Sequence, residues 1–136
     1  LAADAAHQVL EGVEVEDTVH VIARHGDLLA SYSLNQHQAP NELTVTVVCQ
    51  GGTCRCELHR HRWQWMTRPD APWEEESFAG LERDDLFVAQ AGGFLDAMDR
   101  RAEPVCTLEE AAQTLRCNLA VLASVEQGTW KRTSDQ

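Results

Sequence analysis

The stretch that decides the fold runs from Leu28 to Leu58, LLASYSLNQHQAPNELTVTVVCQGGTCRCEL. Alternation places Leu28, Ala30, Tyr32 and Leu34 on one face of a strand. It does the same for Leu43, Val45, Val47 and Cys49, and then for Cys54, Cys56 and Leu58. Ser, Thr, Arg and Glu dominate the positions between. One apolar face at a period of two predicts a half-buried antiparallel sheet. Gln50-Gly51-Gly52-Thr53 supplies residues that tolerate positive φ, so the second and third strands form a hairpin.

Upstream, Val15–Arg24 alternates Val19, Val21 and Ala23 against Thr18, His20 and Ile22, and His25-Gly26-Asp27 turns the chain into Leu28. The Ala-rich residues 1–10 end at Glu11-Gly12 and read as another extended segment. Asn35–Glu42 is polar and contains Pro40, which predicts the long loop between strands. Beyond Leu58, Trp63 and Trp65 point the same way in a sixth, edge-like strand that Pro69 ends. The sheet region therefore covers about 1–68, and a linker of about 69–82 carries two prolines and Glu74-Glu75-Glu76.

After the linker the period changes to 3.6. Phe87, Ala91, Phe94 and Met98 form one stripe of a helix over about 83–101. Thr107 and Glu110 form a capping box, Leu108, Ala112, Leu115, Leu119 and Leu122 follow, and Gly128 ends a second helix over about 107–128. Together these elements predict an α+β fold: a predominantly antiparallel open sheet of about six strands, with two C-terminal helices packed on one face. Residues 1–136 form a single domain on this reading. The uncovered face carries Thr18, His20, Ile22, Leu29, Ser31, Ser33, Thr44, Thr46 and Val48, a composition suited to a solvated face or to sheet-on-sheet self-association.

Charge and cysteine usage narrow the partners. With 11 Lys and Arg against 22 Asp and Glu, the net charge of −11 repels a phosphate backbone, and no nucleic-acid partner is expected. Five cysteines without regular spacing fit reduced thiols in a cytoplasmic protein. No apolar run approaches the roughly 20 residues that span a membrane. The opening residues, which lack Met and a basic region, read as neither a signal peptide nor a natural start.

Candidate chemistry is sparse. Cys54-x-Cys56 and His59-x-His61 carry zinc-type ligands, but even and odd positions of a strand face opposite sides, so buried cysteines and exposed histidines are expected, with no metal. No nucleophile elbow, dinucleotide fingerprint or phosphate-binding loop occurs. Arg55, His59, Arg60, His61, Arg62 and Arg68 form a local basic run that fits a solvated sheet edge, or a patch for an anionic partner.

Glu16-Asp17-Thr18, Gly52-Thr53, Phe94-Leu95-Asp96-Ala97-Met98 and Thr107–Glu110, in that order, resemble the C-terminal half of Gfo/Idh/MocA-family oxidoreductases over nearly the whole chain. One departure is the turn His25-Gly26-Asp27, which lacks the usual second glycine. The resemblance implies the substrate-side and oligomerising domain of an NAD(P)-dependent enzyme acting on a sugar, cyclitol or related hydroxy compound. NAD or NADP would sit on a Rossmann domain that this chain does not contain. The family's catalytic Lys and His belong to Glu-Lys-Pro and D-x-G-x-H motifs absent here, so no catalytic or cofactor-binding residue transfers, and the chain alone is expected to be inactive. What transfers is substrate contact by polar residues leaving the sheet: Asn35, Gln36, His37, Gln38 and Asn41. A free-standing ligand-binding or scaffold module without catalysis is the alternative.

Overall fold

A computed structural model of the chain describes residues 1–78 and 80–133, excepting the side chain of Arg83. Its elements are β1 (Ala2–Ala6), β2 (Thr18–His25), β3 (Leu28–Asn35), β4 (Thr44–Cys49), β5 (Gly52–Glu57), a 3₁₀ turn (Leu58–Arg60), β6 (Arg62–Met66), β7 (Glu74–Ser77), α1 (Arg83–Met98) and α2 (Leu108–Gln127). All strand pairs are antiparallel, so the α+β architecture expected from the periodicities is the one observed. The strands form two sheets, β1-β2-β3 and β4-β5-β6-β7, where the sequence suggested a single sheet of about six. The chain correspondingly divides into two compact units, residues 1–37 with the chain from Pro104 onward, and residues 38–103.

In the first unit, register pairs Val19 with Leu34, Val21 with Tyr32 and Ala23 with Ala30, which gathers the apolar positions on one face. Helix α2 packs on β1, and Asn118, Val121 and Leu122 line a shallow groove with Val19, Val21, Tyr32 and Leu34. The Thr107 hydroxyl accepts the Glu110 amide at 3.2 Å, while the Glu110 carboxylate accepts the Thr107 amide at 2.8 Å. Gly128 closes the helix in the left-handed conformation. Cys117, Ala120, Val121 and Ser124 lie on the covered side of α2, while Leu115, Leu119 and Leu122 stay more than half exposed. Of the leucine stripe read from the sequence, Leu122 borders the groove against the sheet, and the small residues beside it make the closer contact. Strand β1 is AADAA, and a strand of alanines fits best against small helix residues. At that contact the Ala3 amide donates to Ser124 Oγ at 2.9 Å, and the Ser124 hydroxyl donates to the Thr129 carbonyl at 2.8 Å.

In the second unit the expected linker contains a strand. Glu74–Ser77 pairs with Arg62–Trp65, so β6 is an interior strand and β7 is the edge. Arg62 explains why an acidic run becomes a strand: it donates to Glu57 at 2.6 Å and to Glu75 at 2.7 Å, and Gln64 adds a bond to Glu75 at 3.0 Å. Charged side chains on the outermost strand also discourage further pairing. Ala79, inside the expected linker, lies outside the described residues. Helix α1 ends at Met98, with Asp99 as its cap, rather than at Arg101.

Much apolar surface remains open. Among the described residues Ala23 is the one buried hydrophobic residue, and the accessible surface totals 11290 Å². A folded monomer of 15.2 kDa exposes about 7,100 Å², and two separate globules of half that mass would expose about 8,600 Å².

Candidate functional site

The polar centre of the first unit is Asp17, which is 1 % exposed. The Asp17 amide donates to the Ala6 carbonyl at 3.1 Å and its carbonyl accepts the Gln36 amide at 2.9 Å, which places it where the ends of β1, β2 and β3 meet. After β1 the chain folds over its carboxylate. Gln8, Val9 and Leu10 donate successive backbone amides at 3.0, 2.8 and 2.9 Å, and the Thr18 hydroxyl donates at 2.9 Å. Burial by itself opposes ionisation, but the amides of Leu10 and Val9, the Thr18 hydroxyl and the Gln8 amide outweigh it. The net effect holds the carboxyl well below the usual aspartate range. Four donors occupy its acceptor sites, so Asp17 serves as a fixed negative charge rather than as a proton acceptor.

His37 faces that charge, with Nδ1 3.8 Å from Asp17 Oδ2. Nδ1 is buried and makes no hydrogen bond. Asn35 positions the ring: its Oδ1 accepts the His37 amide at 3.0 Å, and its Nδ2 lies 3.3 Å from both Thr18 Oγ1 and His37 Nε2. An amide that donates to Nε2 assigns the neutral ring's proton to Nδ1, toward Asp17. The result is an imidazole oriented by Asn35, backed by a buried carboxylate and one quarter exposed. With Nε2 and both Asn35 Nδ2 protons engaged, the acceptor left on this cluster is the second lone pair of Asn35 Oδ1, beside a buried negative charge, and a hydroxyl group can donate to it.

Of the five residues expected to touch substrate, Asn35, Gln36 and His37 gather around Asp17 in the first unit, with Gln36 contributing its backbone. Gln38 and Asn41 belong to the second unit, where the Gln38 amide donates to Glu42 at 3.1 Å and Asn41 is exposed. Sequence reading missed Asp17 and Thr18 as members of this cluster. An acid at a strand entry, followed by a hydroxyl residue and preceded by a turn bearing Gly12, was the available signal.

The basic run is largely neutralised by its neighbours. The Arg62 hydrogen bond pulls the buried Glu57 carboxyl below its ordinary range against the opposing effect of burial, and the charges of Arg62, Arg60 and His59 add to it. His59 sits 3.2 Å from both the amide and the carbonyl of Leu43 and 3.6 Å from Glu42, and Arg55 stacks 4.9 Å over the Trp73 ring. Cys54 and Cys56 lie on the same sheet face as Trp65 and Trp63, their cross-strand partners. Among the described residues no group of three or more His, Cys, Asp or Glu side chains is placed to hold a metal ion, and no helix is long and apolar enough to cross a membrane. All five cysteines are free thiols.

Comparison with protein-family models, with curated proteins and with solved structures finds no match to this chain.

Proposed function

We propose that this chain is the substrate-side and oligomerising domain of an NAD(P)-dependent oxidoreductase that acts on a sugar, cyclitol or related hydroxy compound. The observation that carries the reading is the Asp17–Thr18–Asn35–His37 cluster. It brings the Glu16-Asp17-Thr18 motif, on which the family resemblance partly rests, together with polar residues that leave the sheet. The free acceptor site of the Asn35 side-chain oxygen would receive a substrate hydroxyl, with the His37 ring held beside it. NAD or NADP would be bound outside this chain, whose sequence carries no dinucleotide fingerprint or phosphate-binding loop. Self-association would use the sheet face away from α2, where Ile22 and Leu29 are more than half exposed. The same polar cluster would serve a ligand-binding module equally well if no cofactor half exists.

Two titrations test this. Cyclitols and hexoses should shift the NMR signals of the His37 ring and the Asn35 amide, whereas adding NADH should leave its own fluorescence that of the free cofactor. Binding of NADH by this chain would overturn the domain assignment, and unshifted His37 signals with every polyol would overturn the substrate site.

A further inference from the structure

The second unit holds two bare apolar surfaces of complementary form. Register places Val45 opposite Cys56, Val47 opposite Cys54, Cys56 opposite Trp63 and Cys54 opposite Trp65, so these residues share one face of the β4–β7 sheet. The other face carries the Glu57–Arg62–Gln64–Glu75 network. On the apolar face Val45, Val47 and Trp63 are 52 %, 53 % and 45 % exposed. Helix α1 presents Phe94, Leu95 and Met98, three residues within one helical turn of each other, at 66 %, 56 % and 64 % exposure. Ala91 and Gly92, on the preceding turn, leave room for a close approach.

We propose that a second copy of this chain covers both surfaces at once, with the Phe94–Leu95–Met98 patch of each protomer's α1 lying on the Val45–Val47–Trp63 face of its partner. Each protomer carries one helix patch and one sheet face, so one two-fold axis can satisfy both contacts within a pair of chains, separately from any association through the Ile22–Leu29 face of the first unit. With side chains of roughly 200 Å², the exposed fractions leave about 370 Å² on the helix patch and about 300 Å² on the sheet face. The reciprocal contact then buries at most about 1,340 Å², at the lower end of the 1,200–2,000 Å² typical of a stable specific interface. The surface left open beyond that of two ordinary globules, roughly 2,700 Å², is large enough to supply it. Glu74 and Glu76 lie on the same sheet face at its β7 margin, and the exposed Arg100 stands just past the Asp99 cap of α1. The net charge of −11 on each chain opposes association, so moderate salt strengthens the dimer.

The test is light scattering of the full 136-residue chain at tens of micromolar, with Phe94→Arg, Met98→Arg and Val47→Glu. All three sites are more than half exposed, so far-UV circular dichroism should be unchanged. Each variant should halve the mass of the assembly. Mixing Phe94→Arg with Val47→Glu in equal amounts should restore it, because the mixed pair keeps one native helix–sheet contact and sets the introduced arginine against the introduced glutamate in the other. A monomeric wild type, variants that keep the wild-type mass, or a mixture that fails to reassemble would each overturn the proposal.

Discussion

Replacing Ser124 by Ala probes the junction that joins helix to sheet in the first unit. Its hydroxyl accepts from the Ala3 amide and donates to the Thr129 carbonyl at 2.9 and 2.8 Å, and the residue is 1 % exposed. The substitution strands both partners unequally. The Ala3 amide lies under the helix, and an unsatisfied buried donor costs about 1–3 kcal/mol, whereas the Thr129 carbonyl is exposed and regains water, leaving about 0.5–1 kcal/mol. The expected loss is therefore about 1.5–4 kcal/mol. In a unit of this size it lowers the midpoint of thermal unfolding by roughly 6–32 °C, at about 4–8 °C per kcal/mol. Urea unfolding followed at 222 nm reads the change directly, since α2 supplies much of the helical signal. The exposed Thr114, whose hydroxyl donates to the Glu110 carbonyl at 3.1 Å, is the control, and Thr114→Ala should stay within about 0.5 kcal/mol. A Ser124→Ala variant as stable as that control would show that Ser124 does not join α2 to β1, and the packing of the unit would need to be redrawn.

Asp17→Asn should lower stability at neutral pH and flatten its acid dependence. The folded carboxyl titrates below its unfolded value of about 3.9, so its stabilisation is full at neutral pH and is lost progressively as pH falls below about 5 and on through the folded value. The gap in unfolding midpoint between wild type and variant should narrow from pH 7 to pH 3, and a constant gap would contradict the assignment. Gly52→Ala should destabilise the second unit by roughly 2 kcal/mol or more, since φ is 139° and a Cβ would run into the Met66 carbonyl and lie 3.0 Å from Thr67 Cα. Gly26→Ala, with φ of 62° and open space around it, should cost only about 1 kcal/mol, and equal losses in thermal melts would refute the steric account. Thr107→Ala should cost about 1 kcal/mol of stability, and it should let the Glu110 carboxyl move part of the way back up in an NMR titration, since the hydroxyl is lost and the residue 107 amide remains.

Features encoded within a few neighbouring residues are legible in the sequence. Period-two alternation marks β2 to β6, the hairpin at Gln50-Gly51 forms where its glycines predict, and the Thr107–Glu110 box with Gly128 bounds α2 to within a residue. Two elements escape such a reading for one reason. Glu74–Ser77 has no strand pattern of its own and becomes a strand because Arg62 and Gln64 hold Glu75 across the ladder. Leu115 and Leu119 of α2 look like its core stripe, yet they stay more than half exposed and the alanines of β1 meet small residues of the helix.

The candidate site divides in the same way. Asn35, Gln36 and His37 can be named from the sequence because polar residues follow a strand. Gln38 and Asn41, read with them, fall in the other unit. Asp17 enters the site only through folding: its carboxylate gathers amides from Gln8 to Leu10 and meets His37 twenty residues further along the chain. The α+β class, strands β1 to β6 and the ends of the second helix follow from the amino-acid order, since periodicity, turn glycines and caps act over a few residues. The division into two sheets, the buried side of α2 and the pairing of Asp17 with His37 arise only in the folded chain, because each depends on which distant segments fit together.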